Sequence, residues 1–238
     1  MESEQGFGAI LSFNATTNTL YEAGGGRTGL LIDRSASTSS IRTMLQKVTA
    51  SLTARSNAHG NMQKLPKPSG STAIVASIEE LRQKHPACDT IICVTDGEEN
   101  QFSGNVLTGQ EDEDGDPVTE YIGPHTPGYI EKIAFHIEQM GVRLCVIGIG
   151  AQADTMVRAL LHKKNVYVAK VEKEEPLRAI HSTVKTLLKM LDSPAQSCTR
   201  NGVQHTLLIP LSEEVQADIA CMEDLADIEA AAPKICFE

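Results

Sequence analysis

Tryptophan is absent, and aromatic residues make up only 4% of the 238-residue chain. A core must therefore be aliphatic, and apolar runs at 89–95 and 142–148 supply it. Positive charge is scarce: 21 Lys and Arg stand against 31 Asp and Glu, a net charge of −10. Such a balance excludes bulk attraction to nucleic-acid phosphates or to an anionic membrane, and it attracts cations. No apolar run approaches the roughly 18 residues of a membrane-spanning helix, so no membrane insertion is expected. The opening Met1-Glu2-Ser3-Glu4-Gln5-Gly6 carries no basic segment followed by an apolar one, and no secretory signal is read there. The six cysteines, Cys88, Cys93, Cys145, Cys198, Cys221 and Cys236, show no C-x-x-C spacing. Cys93 and Cys145 lie inside strand-like runs and read as small buried hydrophobes. Free thiols in a reducing, intracellular (cytoplasmic) setting are the expectation, with a disulfide among Cys198, Cys221 and Cys236 as the alternative.

What is present is globular composition, 41% hydrophobic and 22% charged, in an alternating order of strand-like and helix-like segments. Residues 29–33 form a short apolar strand ending at Asp33. Residues 39–55 place Ile41, Leu45, Val48 and Leu52 at three- and four-residue spacing, which predicts an amphipathic helix. Residues 57–70 are rich in Gly, Pro and polar side chains and read as a loop. Ser71 is placed to N-cap a second helix carrying Ile74, Ile78 and Leu81, stopped by Pro86. The continuous apolar strand 89–95 suits a sheet covered on both faces. Helix 128–140, strand 142–149, helix 153–163, strand 165–171 and helix 176–191 follow. The alternation predicts an α/β fold, a doubly wound, mostly parallel sheet with helices on both faces.

Three flanking features stand apart. Residues 7–23 contain two apolar runs around a polar turn, a candidate hairpin. Residues 98–120 hold eight acids and no base, with Val106-Leu107 and 118–122 flanking Asp114-Gly115, which predicts a surface hairpin. Residues 196–238 contain one strand-like run, 206–211, and then seven carboxylates between Ser212 and Glu229. The chain is thus divided into an extension over 1–27, a main domain over 28–192 and a C-terminal extension over 193–238.

The chemistry gathers at strand ends. Asp33, Ser35 and Ser37 alternate in a loop that leaves a strand, so a turn can aim three oxygens at one point. Strand 89–95 ends at Asp96-Gly97, and Gly70-Ser71-Thr72 offers a further hydroxyl before a helix. In open α/β sheets, ligands bind beyond the carboxyl ends of the strands. Two carboxylates and three hydroxyls make an all-oxygen shell, which suits Mg²⁺, Mn²⁺ or Ca²⁺ rather than zinc.

In these residues the chain resembles the von Willebrand factor type A (vWA) domain with its metal ion-dependent adhesion site (MIDAS). The family's pattern is Asp-x-Ser-x-Ser after the first strand, a Thr in a later loop, and Asp-Gly after a central strand. This chain reads Asp33-Arg34-Ser35-Ala36-Ser37, Gly70-Ser71-Thr72 and Val94-Thr95-Asp96-Gly97-Glu98-Glu99-Asn100. The resemblance covers about 28–192 and implies that Asp33, Ser35, Ser37, Thr72 and Asp96 surround a metal, directly or through water. It further implies binding of a protein partner through that partner's Asp or Glu. Ala36 replaces a frequent Gly. An edge hairpin usual between the first two helices does not fit residues 56–70; either the N-terminal hairpin or the 206–211 strand is expected at that edge.

Other readings are weaker. Gly148-x-Gly150-x-x-Ala153 matches a dinucleotide fingerprint loosely, but on a late strand. Gly24-Gly25-Gly26-Arg27-Thr28 lacks the Lys of a phosphate loop and reads as a linker. The acidic run 111–116 has the wrong register for a calcium loop, with Pro117 where Gly is required, and reads as a solvated hairpin tip. No G-x-S-x-G elbow accompanies Ser35 or Ser37, so no enzyme is expected. The alternatives retained are a metal-independent scaffold and, below it, a Mg²⁺-dependent phosphohydrolase.

Overall fold

The fold follows from the way the apolar strands alternate their side chains between two helical layers. A computed structural model describes residues 7–13, 19–22, 27–53, 64–65, 67–161, 163–173, 178–180, 182–183, 199–200, 203–204 and 236–237. Six strands form the main sheet: β1 (Phe7–Phe13), β2 (Thr19–Glu22), β3 (Thr28–Asp33), β5 (Thr90–Thr95), β8 (Arg143–Ile149) and β9 (Val166–Val171). Their order is β2-β1-β3-β5-β8-β9, and every neighbouring pair is parallel except β1 with β2. The remaining strands are short or separate: β4 (Lys64–Leu65) pairs with residues 236–237, residues 199–200 pair with 203–204, and β6 (Gly104–Glu111) pairs with β7 (Pro117–Ile122).

Leu31, Ile91, Cys93, Leu144, Val146, Val166 and Val168 point to one face of the sheet. There they meet α2 (Ile74–Lys84), α3 (Tyr129–Gln139) and α4 (Asp154–Leu160) through Ile78, Leu81, Ile133, Ile137 and Leu160. Leu30, Ile32, Ile92, Val94, Cys145 and Ile147 point to the other face and meet Leu45, Val48 and Leu52 of α1 (Arg42–Thr53) and Ile180. The period-2 alternation of strands buried on both sides explains why β3 and β5 read as unbroken apolar runs. The expected doubly wound α/β architecture is thus present.

The N-terminal hairpin settles the edge. β1 lies parallel beside β3, and β2 folds back antiparallel outside it. The sequence places the start of the first helix too early: residues 36–41 form a 3-10 helix, and the α-helix begins at Arg42. Residues 151–153 form a 3-10 turn ahead of α4, which begins at Asp154, one residue from its expected start. Gly148 is explained by packing, because a Cβ there would lie 2.7 Å from Val157 Cγ2 and 2.8 Å from Ala153 Cβ. The expected helix 176–191 is described only at 178–180 and 182–183. The expected strand 206–211, the acidic stretch after it, and Cys198 and Cys221 lie outside the described residues. The three cysteines Cys88, Cys93 and Cys145 are buried and free. Among the described residues no helix is long and apolar enough to cross a membrane.

The β6–β7 hairpin forms its own two-stranded sheet against α3, where Val106 and Ile122 are buried. Its acidic tip is exposed and closes on itself: Asp112 Oδ1 accepts the Asp114 and Asp116 amides at 3.0 and 2.9 Å. Deleting 110–117 joins Gly109 to Val118 and leaves Leu107 opposite Thr119, a register of the three-residue hairpin loop with Gly109 already at φ +78°. The deletion is expected to shift the thermal midpoint by less than about 4 °C, because only exposed residues leave. Far-UV circular dichroism melts check this; loss of the cooperative transition would make the tip structural.

Candidate metal centre

β3 and β5 are neighbours, so Asp33 and Asp96 emerge side by side at their carboxyl ends. Asp33 is fully buried, and Asp96 is 1% exposed. The loop after β3 bends because the Ser35 N–H donates to Asp33 Oδ1 at 2.7 Å. That bend brings Ser35 Oγ within 2.9 Å of Ser37 Oγ, and Ser37 Oγ donates to Asp96 Oδ1 at 2.9 Å. The Thr72 segment is tied on by backbone: Ala36 N–H donates to Gly70 O at 2.8 Å, and Ser69 N–H to Arg34 O at 2.8 Å. Thr72 comes in from that side. A Cβ on Gly97 would lie 3.6 Å from Thr72 Oγ1 and 4.0 Å from Ser37 Oγ, ordinary contact distances that place both hydroxyls against the Asp96 loop. All five residues singled out in the sequence therefore meet in one cluster of three loops.

Three further residues organise the cluster. Thr95 Oγ1 donates to Asp33 Oδ2 at 2.6 Å and accepts the Gly97 N–H at 3.2 Å, linking the two carboxylate-bearing loops. Asn100 Oδ1 accepts the Thr72 N–H at 3.0 Å, and the Asn100 N–H donates to Thr72 O at 3.2 Å. Glu99 Oε2 accepts the Val75 N–H at 2.8 Å. Ser71 is not the N-cap of α2: that helix begins at Ile74 after Ala73, which offers no side-chain cap, and Glu99 satisfies its first turn from across the fold. Counting Glu99 with the surface acids of 98–120 is likewise corrected, since it is 1% exposed. The only local hint was an acid at the end of a buried strand; its partner lies 24 residues away.

Burial dominates the electrostatics. It pushes the Asp33 carboxyl up from 3.8 to about 6, against the lowering effect of the Thr95 and Ser35 hydrogen bonds, with the Asp96 charge adding to the rise. Burial also raises Asp96, opposed by the Ser37 hydroxyl, and raises Glu99, opposed by four backbone N–H groups. The three carboxylates differ in what they have left to offer. Glu99 has both oxygens committed to backbone amides. Asp33 has one hydrogen bond on each oxygen, and a carboxylate oxygen can take a second partner. Asp96 Oδ2 is buried with no hydrogen-bond partner. An orphaned anionic oxygen in a buried place is costly unless something cationic or protic meets it. Among the described residues no three His, Cys, Asp or Glu side chains converge; here the remaining oxygens are hydroxyls. The set of Asp33, Ser35, Ser37, Thr72 and Asp96 fits a hard divalent cation, which takes oxygen ligands and tolerates neutral ones. Comparison with family models, curated proteins and solved structures finds no match for this chain.

Proposed function

We propose that this chain is a divalent-metal-dependent protein–protein interaction module of the vWA type, holding Mg²⁺ or Mn²⁺ (Ca²⁺ also suits) among Asp33, Ser35, Ser37, Thr72 and Asp96. The observation that carries this reading is the partnerless Asp96 Oδ2 beside a chain of linked hydroxyls. Two carboxylates just neutralise a divalent cation and the three hydroxyls add no charge, so the bound ion is not over-neutralised and keeps an exchangeable water, which a partner's Asp or Glu displaces. A Lys or Arg does not. The acidic β6–β7 hairpin, which follows the Asp96 loop in the chain, repels anionic partners that lack a well-placed carboxylate and so contributes to choice. The buried, free cysteines suit a reducing, intracellular setting.

A second reading is favoured by a separate observation. Ser35, Ser37 and Asp96 Oδ1 already satisfy one another, as do Thr95 and Asp33, so the loops hold together without an ion. A metal-independent scaffold would use the same fold. Thr72→Ala separates the two. It removes a hydroxyl from the proposed shell and is expected to weaken Mg²⁺-dependent partner binding about tenfold, while costing about 1 kcal/mol of stability. Calorimetric titration of the partner in Mg²⁺ and in chelator, with wild type and Thr72→Ala, reads the affinity, and thermal melts of the two proteins read the stability. Equal affinity in chelator supports the scaffold and removes the metal bridge.

A further inference from the structure

The dipeptide Glu99-Asn100 binds the Thr72 segment at both its ends. Asn100 grips Thr72 by its amide and its carbonyl. Glu99 grips the next turn: Oε2 accepts the Val75 N–H at 2.8 Å, and the Ile74 N–H supports the same carboxylate. Its other oxygen accepts the Gln101 and Phe102 amides at 2.8 and 3.1 Å, which curls the chain back immediately after Asp96-Gly97-Glu98. One buried carboxylate thus ties the loop that carries Asp96 to the helix start that carries Thr72. Along the chain the two loops are separated by the whole of α2, the turn at 85–89 and β5. The tie extends outward, because Tyr129 Oη donates to Phe102 O at 3.0 Å and so anchors the curl to α3.

We propose that Glu99 is a positioning residue for the candidate metal centre: through four backbone amides it sets Thr72 against Asp96, while making no contact with a cation itself. This rests on the metal-site reading for its consequence, but not for its geometry. Both Glu99 oxygens are spent on amides, so it has a role distinct from Asp96, whose Oδ2 is unspent. The charge matters as well as the shape. A carboxylate at the N-terminus of α2 accepts from several amides at once and meets the positive end of the helix dipole. A carboxamide has one acceptor oxygen, so Glu99→Gln can hold either the helix start or the curl after Asp96, not both. Groups that orient ligands without touching the metal commonly change affinity about 10- to 100-fold when altered.

The test compares Glu99→Gln and Asn100→Ala with Leu81→Ala, which loosens α2 by removing a fully buried side chain far from the amides in question. Two quantities are read on the intact chain: Mg²⁺ affinity by calorimetry, and hydrogen exchange of the Thr72 and Val75 amides in chelator. The proposal expects Glu99→Gln to weaken Mg²⁺ binding at least about tenfold, and to speed exchange at both amides beyond what Leu81→Ala causes. Asn100→Ala should speed Thr72 alone; if Glu99→Gln does not fold, Glu99→Asp carries the test, since a shorter side chain cannot reach both sets of amides and should speed Val75 and weaken Mg²⁺ binding in the same direction. Leu81→Ala should lower the melting temperature and leave Mg²⁺ affinity within about twofold. A Glu99→Gln protein that binds Mg²⁺ as wild type does, or exchanges Thr72 and Val75 no faster than Leu81→Ala, overturns the proposal. A wild type indifferent to Mg²⁺ removes the metal reading instead, and the exchange data in chelator then decide by themselves whether Glu99 holds the two loops together.

Discussion

Replacing Asp33 by Asn is expected to raise the melting temperature of the metal-free protein at pH 8 by several degrees, and at the same time to abolish its response to Mg²⁺. The reason lies in the buried carboxyl. Its proton is held more tightly in the folded protein, at about 6, than at the ordinary value of 3.8. The raised value fixes the sign of the linkage: the favourable contribution is fully present below about 3.8 and is lost as pH rises through about 6. At pH 8 the metal-free fold carries the whole penalty, about 3 kcal/mol for a shift of that size. Asn is isosteric and neutral. Its amide oxygen still accepts the Ser35 N–H, and its NH₂ meets Thr95 Oγ1, whose own proton can turn to Gly97 O at 3.4 Å. The loop geometry is kept and the burial penalty is relieved, so a gain of about 1–3 kcal/mol is expected, or several degrees for a domain of this size. At pH 4 the gain should vanish. Thermal melts of wild type and Asp33→Asn in chelator at pH 4 and 8, repeated in Mg²⁺, test the point. A variant less stable at pH 8 would show that Asp33 is kept for a structural hydrogen bond rather than for a cation.

The same residue shows how far the chain can be read unaided. Asp33, Ser35 and Ser37 are legible because their spacing is local and their strand is short, apolar and buried on both faces. Asp96 is legible for the same reason at the end of β5. Thr72 is less so, since nothing near it in sequence indicates that Gly97 lies against its hydroxyl. Glu99 was illegible. Among eight acids in a row of polar residues it resembles a surface charge, and only the three-dimensional arrival of α2 turns it into a buried cap. Ser71 failed as a cap in the complementary way: a local preference was overridden by a group from elsewhere in the fold. The start of the first helix is displaced where a 3-10 turn tightens the entry at 36–41, because the same apolar spacing serves both geometries. The sheet edge is half legible: the sequence offers the N-terminal hairpin or the 206–211 strand there, and the parallel pairing of β1 with β3 leaves no mark in β1's own residues that would choose between them.

Protons and the divalent cation should compete for the same carboxylates, and this gives the sharpest dependence on conditions. With Asp33 protonated up to about 6, only about a tenth of it is ionised at pH 5, so Mg²⁺ affinity there is expected to be about tenfold weaker than at pH 7. Asp96, also raised by burial and with Oδ2 unsatisfied, steepens the fall below that point. Above pH 7 affinity should level off. The ion should then cancel much of the pH dependence of stability over this interval. In chelator, the Asp33 contribution is lost as pH rises through about 6. In about 10 mM Mg²⁺, binding to the folded state alone adds RT ln(1 + [Mg²⁺]/Kd), which grows over that same interval as the carboxylates become available. The two melting curves, measured between pH 5 and 8, should therefore coincide at the acid end and separate through pH 6. Asp33→Asn should remove the separation and the Asp33 part of the decline in chelator, because that titrating group is gone, leaving only what Asp96 and Glu99 contribute. Curves that stay parallel across the whole interval would mean that the buried carboxyls answer to protons alone, and the hydroxyl-lined cluster at the ends of β3 and β5 would then stand as a hydrogen-bonded joint between loops.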